Sequence, residues 1–426
     1  MNQNPMHKDS TPPAGQAAAN PALASQAAQA AHPALPLWTL IAPVAGWLLL
    51  GGTTMGWGGA FLVLAAAGLF GCVLAGVHHA EVVAHRIGEP YGTLVLAVAI
   101  TIIEVGLIVS LMLAGGPSTA ALARDTVFAA VMIILNGMVG LCLLVGAVRH
   151  REQEYRLDGV SASLATLAAI ATLTMVLPNY TTSVPGPVYS PSQLSFIALV
   201  SLVLYGTFVL VQAVRHRDYF LPVQNAANEE GHAAPPTVRA TWTSALLLPV
   251  CLTAVVLLAK SLAPAVEGAV DALDAPKAVV GIVIAIVVLL PEGLAALRAA
   301  HANRLQTSLN LALGSALASI GLTVPAVALV SLATGWTLTL GLDVKSTVLL
   351  VLSLFVASLS LGTGRTTVLQ GTVHLVLFAV YLFTTVVPSG NVFRSRRVPV
   401  PPAVGPALRQ RTRACCPPGH RPPSPG

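Results

Sequence analysis

A chain of 426 residues with 55% hydrophobic and 9% charged residues cannot cover its own surface with polar groups in water, which excludes the soluble globular classes and points to an integral membrane protein. The formal charge of +6 does not mark a nucleic-acid binder, because the basic residues lie at the ends of apolar runs and in the tails, with no stripe of interleaved aromatics. The five cysteines, at 72, 142, 251, 415 and 416, show neither a disulfide framework nor metal-ligand spacing.

In chain order, residues 1–35 are rich in Ala, Gln and Pro and are expected to form a disordered extension; they lack the pattern of a cleaved signal peptide. Eleven apolar stretches then meet the length of about 20 residues that a bilayer crossing requires. They run over 37–52, 59–79, 92–114, 126–148, 160–178, 194–214, 241–264, 278–299, 306–333, 345–362 and 366–387. The expected class is an all-α polytopic membrane protein. Residues 36–214 hold the first six helices, 215–240 form a linker with Glu229, Glu230 and two prolines, and 241–387 hold the last five. The 388–426 tail is rich in Pro and Arg; a disordered appendage and a shifted reading frame both account for it.

Loops after even-numbered helices carry Arg86, Arg149, Arg151, Arg156, Arg215, Arg217, Arg239, Arg298, Arg304 and Arg365, whereas those after odd-numbered helices carry only Arg124, Lys260, Lys277 and Lys345. The positive-inside rule therefore predicts a cytoplasmic N-terminus, in a bacterial inner membrane. At the expected cytoplasmic end of the second helix, "GVHHAEVVAHRIGEP" offers His78, His79, Glu81, His85 and Glu89, either as a pH sensor or as an interfacial anchor and cap. Asp125 beside Arg124 reads as a cap and local pair before helix four, and His374 as a packed core residue hydrogen-bonded to a neighbour.

Two acids fall deep inside apolar spans: Glu104 in "AITIIEVGLIV" and Glu292 in "VVLLPEGLAAL". A carboxylate at the bilayer centre costs about 2.5–3.5 kcal/mol on insertion scales, and such a residue normally faces an ion or proton path. The alternative for each is a protonated Glu bonded to a backbone carbonyl. The two contexts match, and they lie five helices apart. The second copy therefore enters the membrane from the opposite side, which gives two inverted five-helix repeats preceded by one extra helix. Inverted repeats place a site at the midplane where the halves meet. Pro291 frees the carbonyl near Val287, and freed carbonyls beside a carboxylate suit a hard cation that prefers oxygen ligands. Without a cation, like charges in low dielectric keep at least one acid protonated; a divalent ion displaces those protons. Asn310 is a candidate lining residue, with a helix-packing role as the alternative.

At "HRIGEPYGTLVLAVAITIIEVGLIV", "LARDTVFAAVMIILNGMVGLCLLVG" and "VVLLPEGLAALRAAHANRLQTSLNLALGSALASIGLTVP" the chain resembles the cation/Ca²⁺ exchanger superfamily, in particular its ChaA-type bacterial calcium/proton antiporters. The resemblance covers most of 75–387 and implies proton-driven efflux of Ca²⁺, with Na⁺ or K⁺ accepted in some members. It implies that Glu104 and Glu292 alternate between cation and proton, that Asn136 matches the polar position after the first acid, and that Ser315 matches the serine after the second. Relatives carry GNxxE where this chain has Thr101 and Leu289, and a Gln where it has Ala318 with Ser319 beside it. These departures leave a leaner shell and an open ion selectivity. The partners implied are the transported cations and the lipid bilayer, with a homo-oligomer left open, and no resident cofactor is expected. A monovalent Na⁺ or K⁺/H⁺ antiporter is the competing transport reading. An intramembrane enzyme lacks its paired Asp, Ser/His or zinc constellation, two buried acids on inverted repeats disfavour a passive channel, and no GxxxxGK[ST] loop supports a primary pump.

Overall fold

In a bilayer a backbone must satisfy its own hydrogen bonds, so long apolar segments fold as helices. The computed structural model describes residues 35–88, 91–221, 236–272 and 276–387, and it carries eleven helices long and apolar enough to span a membrane. These are α1 (Leu37–Thr54), α2 (Ala60–Ile87), α3 (Tyr91–Gly115), α4 (Leu122–His150), α5 (Leu157–Tyr180), α6 (Pro191–Arg215), α7 (Val238–Ala272), α8 (Ala278–His301), α9 (Leu305–Thr334), α10 (Val344–Leu361) and α11 (Val368–Val386). The chain is a multi-pass all-α membrane protein. The expected N-terminal extension up to residue 34, Glu89, most of the linker and the 388–426 tail lie outside the described residues.

Every expected span is present, yet several are longer than hydropathy suggests. Helix α2 continues to Ile87 instead of stopping at 79, so Glu81 and His85, expected at a helix end, lie within its last two turns. Charged residues end a hydropathy window but not a helix, because Glu, His and Arg are tolerable helix formers. Helix α4 starts at Leu122, so Asp125 falls in its first turn, where it pairs with Arg124 at 2.7 Å. A wide π-type turn interrupts α4 at Ile133–Met138, and comparable turns occur in α5 at Thr172–Val176 and in α6 at Val211–Arg215. Such turns insert a residue into the hydrogen-bond ladder and often accompany functional positions.

The spans form one compact unit, with helices from both halves of the sequence interleaved. Helix α7 packs on α1, α2 and α3; α8 packs on α4; and α9 packs on α3, α5 and α6. The close approaches are made by small residues, as expected where lipid provides no hydrophobic drive between helices. A side chain at Gly106 would meet Val256 of α7 at 2.6 Å, and one at Gly281 would meet the backbone of Asp125 at 2.9 Å.

The alternation of ends is visible in loop contacts. Loops following even-numbered helices bind one another: Gln153 donates to the Ala300 carbonyl at 3.0 Å and to Asn303 at 2.9 Å, Arg156 to the Asp218 carbonyl at 2.7 Å, and Arg365 pairs with Glu154 at 3.1 Å. Burial of Tyr155 in this layer pushes its phenol up to about 12, so it stays neutral at any physiological pH. Loops following odd-numbered helices meet at the other end, where Arg124 donates to the Gly341 carbonyl at 3.0 Å and Asn179 to the Leu342 carbonyl at 2.7 Å.

Candidate cation site

Glu104 lies on α3 and is only 3% exposed. Its partners come from the other half of the chain. Ser319 on α9 donates to its two carboxylate oxygens at 2.9 and 3.1 Å, and Thr323 donates to Oε2 at 2.9 Å. Ser319 and Thr323 are four residues apart, so one face of α9 presents both hydroxyls. Hydroxyl donors of this kind favour the charged form of the acid they serve.

Glu292 lies on α8, 7% exposed, and its Oε2 is buried without a hydrogen-bond partner. An unpartnered buried carboxylate oxygen is costly and is an acceptor with spare capacity. Helices α3 and α2 carry Glu104 and Glu81. Helix α8 contacts each of these two helices. Next to Glu292, a side chain at Gly293 would touch the Met138 methyl group at 3.3 Å, in the π-type turn of α4. Pro291 sits inside α8, which continues through it from Ala278 to His301.

The other candidates divide. Ser319 meets Glu104 directly. Thr101 is buried one turn before Glu104, but its hydroxyl is engaged with the Ala97 carbonyl of its own helix at 2.9 Å. Ser315, one turn before Ser319 on α9, is half-buried, and no hydrogen bond joins it to either acid. Asn310 faces the arginine-rich end instead, accepting from Gln306 at 2.9 Å and donating to the Phe220 carbonyl at 2.6 Å. That is the helix-contact role.

Asn136 is fully buried, and its hydrogen bonds lead away from both acids. It donates to Ser353 of α10 at 2.8 Å and accepts from His374 Nδ1 of α11 at 3.4 Å, while Ser360 lies 2.7 Å from His374 Nε2. The physical reason is rotation: the π-type turn around Asn136 adds a residue to the turn and re-aims the side chains that follow. His374 is thus the bonded core residue expected, holding α4, α10 and α11 together. Replacing it with Leu leaves Asn136 Oδ1 unpaired and the Ser360 hydroxyl with only its longer bond to the Ala357 carbonyl, at a cost of about 1–3 kcal/mol. His374→Leu should therefore lower the thermal unfolding midpoint in detergent by several degrees.

One residue of the site is not singled out by hydropathy or by the family resemblance. Thr323 carries a usable signal, lying one turn beyond Ser319 on the same face.

The sodium/calcium exchanger protein family matches residues 57–214 and 243–387 of this chain. The chain is 51% identical over 358 residues to the putative ionic transporter y4hA of Sinorhizobium fredii, covering 83% of this chain and 97% of that protein. It is 38% identical over 324 residues to the sodium-potassium/proton antiporter ChaA of Escherichia coli, covering 76% and 87%. Among solved structures it shares its fold with native YfkE, at a TM-score of 0.63 and 16% identity over 82% of this chain and 99% of that one. It likewise shares its fold with the H⁺/Ca²⁺ exchanger CAX, at 0.62 and 13% identity over 81% and 87%.

Proposed function

The chain belongs to the sodium/calcium exchanger protein family, whose members are secondary cation transporters and not enzymes, and on that premise we propose that this antiporter exchanges Ca²⁺ for H⁺ at Glu104 and Glu292. The observation that carries this reading is the difference between the two acids: Glu104 is held by Ser319 and Thr323, while Glu292 keeps a buried oxygen free. Glu104 then serves as a standing anionic ligand. Glu292 carries a proton when the site is empty of metal and releases it when a cation arrives. Two carboxylates and the two hydroxyls supply hard oxygen ligands, and the carbonyl freed by Pro291 adds one more.

The two acids come from helices five apart, and each acid helix packs against the polar helix of the other half: α3 on α9, and α8 on α4. This reciprocal packing supports the inverted-repeat reading, with α1 as the extra helix and the 215–240 segment joining the halves. The arginine-rich end is read as cytoplasmic and the membrane as the bacterial inner membrane.

A monovalent Na⁺ or K⁺/proton antiporter is the second reading, favoured by the name of the relative at 38% identity and by the leaner oxygen shell. Everted or reconstituted vesicles loaded with a pH-sensitive dye decide between them. Ca²⁺ added outside an acid-loaded vesicle should collapse the pH gradient at concentrations well below those at which Na⁺ or K⁺ does so. Collapse by Na⁺ and K⁺ alone would select the monovalent reading.

A further inference from the structure

The C-terminal ends of α4 and α8 meet at the arginine-rich face. His150 Nε2 lies 3.0 Å from the His301 carbonyl oxygen, and Gln153 donates to the Ala300 carbonyl at 3.0 Å and to Asn303 Oδ1 at 2.9 Å. Four arginines flank this seam: Arg149 and Arg151 on either side of His150, Arg298 one turn before His301, and Arg304 three residues after it. All four are exposed, and among the described residues none of their side chains makes a hydrogen bond or an ion pair. A helix C-terminus carries partial negative charge that draws basic side chains into its last turn, which accounts for Arg149 and Arg298. It does not account for Arg151 and Arg304, which lie beyond the helix ends.

The acids closest in sequence do not neutralise the seam. Glu152 and Glu154 both turn to Arg365, at 3.8 and 3.1 Å, and no acidic residue occurs between Glu292 and Asp343. The backbone also holds Arg151 in a costly conformation. Its φ of 65° and ψ of −62°, with the Glu152 N–H bonded to the His150 carbonyl at 2.8 Å, make a γ-turn of the strained kind. Strain of this sort persists where the surroundings enforce it, and it clusters at functional positions. On the membrane side of Arg149 and Arg298 lie the exposed apolar side chains Val148 and Leu294. The seam thus sets unpaired guanidinium groups above apolar surface.

We propose that this seam binds the headgroup of an anionic phospholipid, whose phosphate bridges Arg149 and Arg151 of one half to Arg298 and Arg304 of the other. Guanidinium forks match phosphate oxygens in pairs, and basic clusters between transmembrane helices recruit anionic headgroups. Val148 and Leu294 favour a lipid over a free phosphate, because an acyl chain covers them while an inorganic anion leaves them bare. The bound headgroup fastens the end of α8, the helix that carries Glu292, to the end of α4. The proposal stands whichever cation is exchanged.

The test titrates the purified full-length protein in detergent with phosphatidylglycerol or phosphatidylcholine and follows native mass spectra and thermal unfolding. Phosphatidylglycerol should stay bound in the mass spectrum and raise the thermal midpoint by several degrees, and phosphatidylcholine should do neither. Arg151→Gln with Arg304→Gln should lose both responses while melting like the wild type in phosphatidylcholine. Should that pair fail to fold, Arg149→Gln with Arg298→Gln removes the same charge from the same seam and is held to the same outcome. Arg86→Gln with Arg239→Gln removes equal charge from α2 and α7 at the same face and should keep both responses. An undiminished rise in the seam variants, an equal rise with phosphatidylcholine, or an equal loss in the α2–α7 pair would overturn the proposal. The last result would make the attraction a diffuse property of the whole face. A rise of the same size from millimolar inorganic phosphate without lipid would overturn the lipid assignment in favour of a free anion.

Discussion

In proteoliposomes made with Glu292→Gln, cation uptake and the accompanying proton efflux are both expected to vanish, and Glu104→Gln is expected to do the same for a different reason. An amide at position 292 keeps the shape of the side chain but can neither carry the exchanged proton nor supply negative charge. An amide at position 104 would keep contact with Ser319 and Thr323 while removing the standing charge that attracts the cation. Unit charges about 4 Å apart at an effective dielectric constant of about 20 interact by about 4 kcal/mol, so either loss should weaken cation binding by about three decades. The two variants should differ in proton release on cation addition at saturating concentration. Glu104→Gln retains the releasable proton on Glu292 and should give a reduced but measurable signal, whereas Glu292→Gln should give none. Equal release from both would remove the asymmetry on which the proposed division of labour stands. Both proteins should elute and unfold like the wild type, since replacing a buried acid by its amide lowers the cost of burial.

The second expected effect concerns the hydroxyl pair. Ser319→Ala with Thr323→Val removes the donors that stabilise ionised Glu104. Hydrogen bonds to charged groups contribute about 1.5–3 kcal/mol each, so protons should compete more strongly at the site once the donors are gone. Cation uptake rises with pH because metal binding releases protons, and the half-maximal point should move to higher pH in the double variant, by about one unit for each 1.4 kcal/mol lost. Uptake measured from about pH 6 to 9 checks the sign, a window spanning the range in which buried carboxyls titrate. A curve displaced to lower pH, or not displaced, would mean that the hydroxyls do not support the charged acid. Ser315→Ala serves as the comparison, since Ser315 makes no hydrogen bond to either carboxylate and should leave the curve in place.

Much of this protein is legible in its order of residues. Water cannot solvate a chain so rich in apolar side chains, and a bilayer admits only helices of about twenty residues, so eleven spans follow from hydropathy alone. Glu104 and Glu292 stand out because an acid in such a span is rare and expensive, and Ser319 is pointed out by the resemblance, beside the Ala318 that stands where relatives carry a Gln. The ends of the helices are less legible. Hydropathy marks where lipid stops, and a helix such as α2 continues through Glu81 and His85 because its backbone hydrogen bonds do not depend on the solvent beyond.

Which side chains meet was decided by the tertiary structure. Thr101 and Asn136 carry the right atoms at the right positions in the sequence, but one bonds to its own helix and the other is turned by a π-type turn toward Ser353 and His374. Thr323 joins Ser319 at Glu104 because one face of α9 presents both hydroxyls there. Helix rotation is set by packing at glycines such as Gly106 and Gly281 against distant parts of the chain. Composition and periodicity act along the chain and determined the spans and the two anomalous acids. Contacts between residues far apart in the chain, as between Ser319 and Glu104, follow from how the two halves fit together.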